Sequence, residues 1–184
     1  MAEATGVDIV RGCTLEPADP AGASGALGHH RPETTVLALR GGTAELNGYA
    51  VRQSRLDVLA SPLADGGDLD DALVKAAAEH GVRLAVDLGP LLRARGRDRT
   101  AAIAGLRKHR ELLEDADAPY VVTAGATSHL ELRAPRELAA VASVAGFDRE
   151  AVEAGPGRVG PACRAEPRAP RRRLRRPGRP ARGG

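Results

Sequence analysis

Apolar residues in this chain fall into short β-branched runs separated by longer stretches with helical spacing. The first run, residues 7–10, is broken by Asp8 and predicts a strand. Residues 16–33 hold Pro17, Pro20, Gly22, Gly25, Gly28 and Pro32, which predicts a loop. The run TTVLAL at residues 34–39 predicts a buried strand that Gly41-Gly42 ends. Thr43 follows as an N-cap, its hydroxyl placed to take a free N–H of a helix reaching about Arg52. Residues 56–60 predict the next strand, and residues 65–68 a turn through Gly66-Gly67. Asp68 is the expected cap of the helix after it. Asp70 and Asp71 put negative charge where the helix dipole favours it. Leu69, Leu73, Ala76, Ala77 and His80 share a face, and Gly81 stops the helix.

Residues 82–88, VRLAVDL, predict another strand. Asp98 is the expected cap of a long helix to about Ala116, with Ala102, Ile103, Leu106 and Leu113 inward. Pro119 disfavours helix at Ala118 and breaks it. Residues 120–123 predict a buried strand and residues 124–128 a small-residue loop. Pro135 suits a first helical position, where its missing N–H costs nothing. That helix is expected to reach Ala145, with Asp148 capping one more before Gly155-Pro156. Strands alternating with helices are the signature of βα units around a parallel sheet, either a barrel or an open doubly wound sheet.

Residues 155–184 break the pattern: Arg, Pro, Ala and Gly fill 26 of these 30 positions. Without an apolar period this segment cannot build a packed core, so it reads as a disordered tail. It also hides the charge balance. The whole chain carries +3, but the tail has ten Arg and one Glu, so residues 1–154 carry 3 − 9 = −6. The body has just two lysines, Lys75 and Lys108, and such an acidic surface suits a high-salt cytoplasm. No basic region followed by an apolar run opens the chain, and no stretch approaches the roughly 20 apolar residues that span a bilayer. The reading is a cytoplasmic protein. Cys13 and Cys163, two distant thiols, make neither a disulfide framework nor a metal motif. With Tyr49, Tyr120 and Phe147 the only aromatics, a base-stacking platform is excluded.

The candidate chemistry is cationic. Arg107, Lys108 and Arg110 crowd one turn of the long helix, suited either to RNA phosphates or to pairing with Glu111 and Glu114. Arg133 and Arg136 flank a helix start, where cations oppose the dipole and a bound phosphate would relieve the conflict. Arg93, Arg95, Arg97 and Arg99 alternate with small or acidic residues in what reads as a basic loop able to track a phosphate backbone. Gly41-Gly42-Thr43 lacks the spacing and lysine of a P-loop and reads as a turn with a cap. His29-His30 has no ligand cluster at metal spacing around it, and Asp8, Asp57 and Asp87 lie in or at strands, suited either to a barrel mouth as acids or ligands or, the favoured reading, to strand-end caps or ion pairs. Arg171–Arg176 would attract any polyanion.

Three stretches carry a resemblance: GVRLAVDLGPLLRARGRDR at 81–99, LRKHRELLEDADAPYVVTAGA at 106–126 and SHLELRAPRELAAVASVAGFD at 128–148. Upstream, TTVLALRGGTAELNGYAV at 34–51 and RLDVLASP at 55–62 are similar in the same way. Together, over about residues 7–153, they resemble the haloarchaeal branch of the ribonuclease P protein component 3 family, relatives of the eukaryotic thirty-kilodalton subunit. The resemblance implies a TIM-like (β/α)8 barrel, here a partial α/β-barrel domain over residues 1–154. It implies a noncatalytic subunit assisting an RNA that removes the 5′ leader from precursor tRNA, with catalysis and Mg2+ on the RNA. The implied partners are the catalytic RNA, the other protein subunits, especially component 2, and precursor tRNA indirectly. Arg93, Arg95, Arg107, Lys108, Arg110, Arg133 and Arg136 are then the candidates for RNA or subunit contact. No protein side chain is expected to be catalytic.

The chain departs from the family pattern at both ends. Its opening resembles the third barrel strand, and the tail has the composition of a GC-rich gene read out of frame, an expectation that detecting the tail peptide from an uninterrupted gene would remove. The competing expectations are a metal-dependent phosphoesterase on a related barrel, whose paired His-x-His strand motif is missing, and a fragment without function.

Overall fold

The computed structural model describes residues 10–154, and the expected strand at 7–10 and the basic tail at 155–184 lie outside the described residues, save Val10. The first strand, β1, is Gly12–Leu15, later than the apolar run at 7–10 suggested. Helix α1, Pro20–His30, replaces the expected loop, and a 3-10 turn continues it over Arg31–Glu33. Three glycines disfavour α1 by about 1 kcal/mol each relative to alanine. Tertiary burial overrides them, because Ala23 and Leu27 are fully buried. Asp19 caps its start by accepting the Gly22 N–H at 2.7 Å, and Pro20 sits in the first turn.

Strand β2, Val36–Arg40, leads into α2, Ala44–Ala50, which Thr43 caps as expected through the Leu46 N–H. Strand β3, Val58–Ala60, is followed by α3, Asp71–His80. The cap of α3 is Asp70, not Asp68: the Asp70 carboxylate accepts the Leu73 N–H at 2.7 Å, and Asp68 instead meets the N–H of Leu69. Gly81 closes α3 in the left-handed conformation, at φ 70°. Strand β4 is Arg83–Asp87.

The segment read as a basic loop is largely helical. Gly89–Arg93 forms α4 and Gly96–Asp115 forms α5. Arg95, rather than Asp98, stands at the α5 N-cap, its side chain capping no N–H of the helix, and Asp98 lies in the first turn. Asp117 adopts φ 47° at the break before β5, Tyr120–Thr123. Helix α6, Pro135–Ser143, starts on Pro135, and α7, Arg149–Ala154, is capped by Asp148 through the Ala151 N–H.

All four strand pairings are parallel and the order is β1-β2-β3-β4-β5. A doubly wound sheet reverses its strand order partway; this one never does. The winding is therefore that of a barrel, and among the described residues β1 and β5 are its edges. Register aligns Leu37, Leu39, Leu59, Leu84, Val86 and Val122 on one face. These residues are buried in one core with residues from α1, α3, α5, α6 and α7. Full burial of each such leucine contributes about 1.5–3 kcal/mol. The opposite face carries Val36, Ala38, Val58, Ala60 and Val121, all half-buried.

At the N-terminal ends of the strands, Asp57 takes the Leu37 N–H at 2.7 Å and pairs with Arg31. At the C-terminal ends, buried Asn47 accepts the Gly42 N–H at 3.0 Å and donates to the Pro62 carbonyl at 2.7 Å. It thus ties the loop after β2 to the loop after β3. Gly41 must be glycine here, since a Cβ would stand 2.1 Å from the Asn47 Oδ1. Asn47→Ala orphans both backbone groups. It should lower unfolding stability by about 2–3 kcal/mol, read as a reduced urea midpoint at constant slope. A loss below about 0.5 kcal/mol would mean that water replaces the amide without cost.

Candidate nucleic-acid and subunit interface

Barrel-type folds gather function at the C-terminal ends of their strands. Here those ends open on a cleft of about 410 Å3 lined by, among others, Arg40, Ser61, Leu63, Asp87, Arg93 and Thr127. Each wall follows from local sequence. Arg40 ends β2, facing away from the packed leucines, and its side chain has no hydrogen bond or ion pair among the described residues. Ser61 holds φ 48° as the chain leaves β3. Asp87 ends β4 and accepts the Gly89 N–H at 2.7 Å, forming a tight turn into α4. Gly125, at φ 55°, packs so closely on that carboxylate that a Cβ would come within 1.8 Å of its Oδ1.

Arg93 leaves the end of α4 and crosses to the loop after β5. Its guanidinium reaches the Gly125 carbonyl at 3.3 Å and the Glu131 carboxylate at 3.4 Å. Glu131 also accepts the Thr127 N–H at 2.9 Å and the Thr127 hydroxyl at 3.0 Å. These two bonds, backbone first, hold its carboxyl below the ordinary 4.5, and the charges of Arg93 and Arg133 act in the same direction. The small-residue loop is thereby braced by a single carboxylate.

The sequence-predicted cations separate into two groups. Arg110 is committed within the protein. It pairs with Glu114 one turn on and with Glu111 at 3.7 Å, the alternative weighed against RNA contact. Its Nε is buried and lies near Gly146, where a Cβ would stand 3.1 Å away. Arg107 donates to the Val144 carbonyl at 3.3 Å, tying α5 to the end of α6. Arg95 donates to the carbonyls of Leu92 and Ala94, and Arg133 to those of Leu130 and Leu132. Lys108 and Arg136 are exposed and make no hydrogen bond or ion pair among the described residues. So are Arg97 and Arg99, which helix α5 rather than a loop presents. His109 adds no charge near neutral pH, because burial lowers its pKa more than the attraction of Asp68 raises it.

At the start of α6, Glu137 accepts the Ala134 N–H at 3.0 Å. It already supplies part of the negative charge that Arg133 and Arg136 led one to expect from a phosphate. The aromatics serve packing: Tyr120 and Phe147 meet edge to face at 5.5 Å, and Tyr49 packs half-buried against the core. Among the described residues no three His, Cys, Asp or Glu side chains converge as metal ligands. Asp87 is the one carboxylate that lines the cleft among the described residues, and its Oδ1 accepts the Gly89 N–H. His29 and His30 pack edge to face on each other at the end of α1.

Residues 1–159 match the family described as RNase P subunit p30. The chain belongs to this family. Relatives named ribonuclease P protein component 3 agree. That of Haloarcula marismortui is 46% identical, covering 84% of this chain and 66% of that protein. That of Halobacterium salinarum is 48% identical, over 82% and 65%. The chain spans a little under two thirds of the length of these curated relatives. A chain in a cryo-EM structure of archaeal ribonuclease P with mature tRNA shares the fold of this p30 member. Its TM-score is 0.74 at 18% identity, over 89% of this chain and 71% of that one.

Two outcomes test the loop of this p30 member. Because the folded-state pKa of Glu131 is depressed, its bracing is complete above pH 4.5 and is lost as pH falls through the lower native value. The Thr127 amide resonance should therefore titrate in that acid window, and Glu131→Gln should abolish the titration. Gly125→Ala should displace the loop from Asp87. Faster amide exchange confined to residues 124–132, with the rest of the sheet still protected, would show it.

Proposed function

We propose that this chain is a noncatalytic protein subunit of ribonuclease P that assists the RNA subunit in removing the 5′ leader of precursor tRNA. The match of residues 1–159 to the p30 family is the observation that carries this reading. The cytoplasm is its proposed location; among the described residues no helix is long and apolar enough to cross a membrane. Its partners are the catalytic RNA, the other protein subunits, component 2 in particular, and precursor tRNA through them.

In this reading the chain's contribution is electrostatic. Lys108 and Arg136, with Arg97 and Arg99, are exposed and unpaired among the described residues, placed to neutralise phosphates and release counterions. Arg93, Arg95, Arg107, Arg110 and Arg133 act indirectly, because their donors shape the loops and helix ends that carry the free cations. Mg2+ belongs to the RNA and its phosphate oxygens in this scheme.

Reconstitution with the cognate RNA and remaining subunits tests it. The chain should lower the magnesium requirement for precursor cleavage. Lys108→Ala with Arg136→Ala should raise that requirement and flatten the log–log salt dependence of RNA binding by about 0.7–0.9 per lost phosphate contact. Cleavage that is the same with and without the chain would reject the function.

A further inference from the structure

The segment after β5 reverses the usual polarity of a protein surface. In Leu130-Glu131-Leu132 the acidic residue points inward and the two leucines point out. Glu131 keeps 33% of its side-chain surface, whereas Leu130 is 77% exposed and Leu132 66%. This is not a loose loop that happens to bare apolar groups. Glu131 is bound from Thr127 and Arg93, and the Arg133 guanidinium clamps the carbonyls of Leu130 and Leu132 at 3.2 and 2.9 Å. Leu63, 43% exposed, lines the same cleft as Thr127 and Arg93. Three of the five large apolar side chains exposed among the described residues thus belong to this one end of the sheet.

We infer that the Leu130–Leu132 ridge is a docking site for a partner protein whose surface offers an apolar seat edged with carboxylates. The assignment rests on the proposed function, and it names a surface for protein rather than for RNA. Leucine offers neither the ring face on which a base stacks nor a donor for phosphate. It does lose unfavourable hydration when a protein covers it, and rigid, braced groups lose little conformational freedom on binding. The carboxylate edge follows from charge. Arg93 is half exposed and bonded at long range, and Arg133 is exposed, with one terminal nitrogen making both of its carbonyl bonds. An acidic rim would answer these cations and set the orientation of the partner.

The test uses the full chain and the Leu130→Ser/Leu132→Ser variant, with each companion ribonuclease P protein of the same organism as a purified probe. Both side chains lie outside the core, so the unfolding midpoint should not move, and circular dichroism checks that. Calorimetric titration should show one companion protein binding the wild-type chain. The double variant should bind it roughly a hundredfold more weakly, on the order of tenfold per leucine lost. Affinity for the cognate RNA, measured by filter binding, should stay within twofold or so of wild type. Equal companion binding by chain and variant overturns the docking site and leaves the proposed function standing. So does a loss confined to RNA binding, or a loss confined to self-association in sedimentation, which would make RNA or a second copy the occupant. A wild-type chain that binds the RNA but no companion overturns the site alone. One that binds neither overturns the proposed function with it.

Discussion

One-sided burial of a parallel sheet governs this protein. Leu37, Leu39, Leu59 and Leu84 are fully covered, and the register puts them on the same face as Val86 and Val122. Because parallel strands place aligned residues side by side, covering that face forces all their C-terminal ends to one end of the sheet. The loops after β2, β3, β4 and β5 meet there with no further instruction. The cleft between Arg40, Ser61, Asp87 and Thr127 is a consequence of that alignment.

What keeps the loops in place is a small set of buried or braced polar groups. Asn47 joins two of them with its amide, and Glu131 joins two others through Thr127 and Arg93. Glycines allow the close approach: Gly41 beside Asn47 and Gly125 beside Asp87. The same economy divides the cations. Those with a carbonyl or carboxylate in reach build the scaffold, whereas Lys108 and Arg136 make no hydrogen bond or ion pair among the described residues. A body with an acidic balance can therefore still present local positive charge.

Much of the fold was legible in the sequence wherever the signal was local. Thr43, Gly81, Pro135 and Asp148 each act at the helix end where their chemistry put them. Residues 120–123 form the strand that their apolar run announced. Helix α1 was hidden because Gly22, Gly25 and Gly28 advertise a loop, and only contact with the core at Ala23 and Leu27 makes the helix favourable. Asp68 and Asp98 looked like caps because either side of a turn can present a carboxylate. The start of each helix was settled by packing instead, at Asp70 and Arg95. The basic turn of α5 and its pairing with Glu111 and Glu114 were both visible as readings, but not which cation would pair: Arg110 does, while Lys108 has no ion pair among the described residues.

The amino-acid order alone therefore determined the alternation of strand and helix, most helix ends, and the presence of clustered cations, since each depends on neighbours a few residues apart. The tertiary structure decided the barrel-type winding, which arginines are spent, and the outward turn of Leu130 and Leu132. Those outcomes rest on contacts such as Asn47 with Pro62, Arg93 with Glu131 and Arg107 with Val144. Such pairs are 15, 38 and 37 residues apart, beyond the reach of any local pattern.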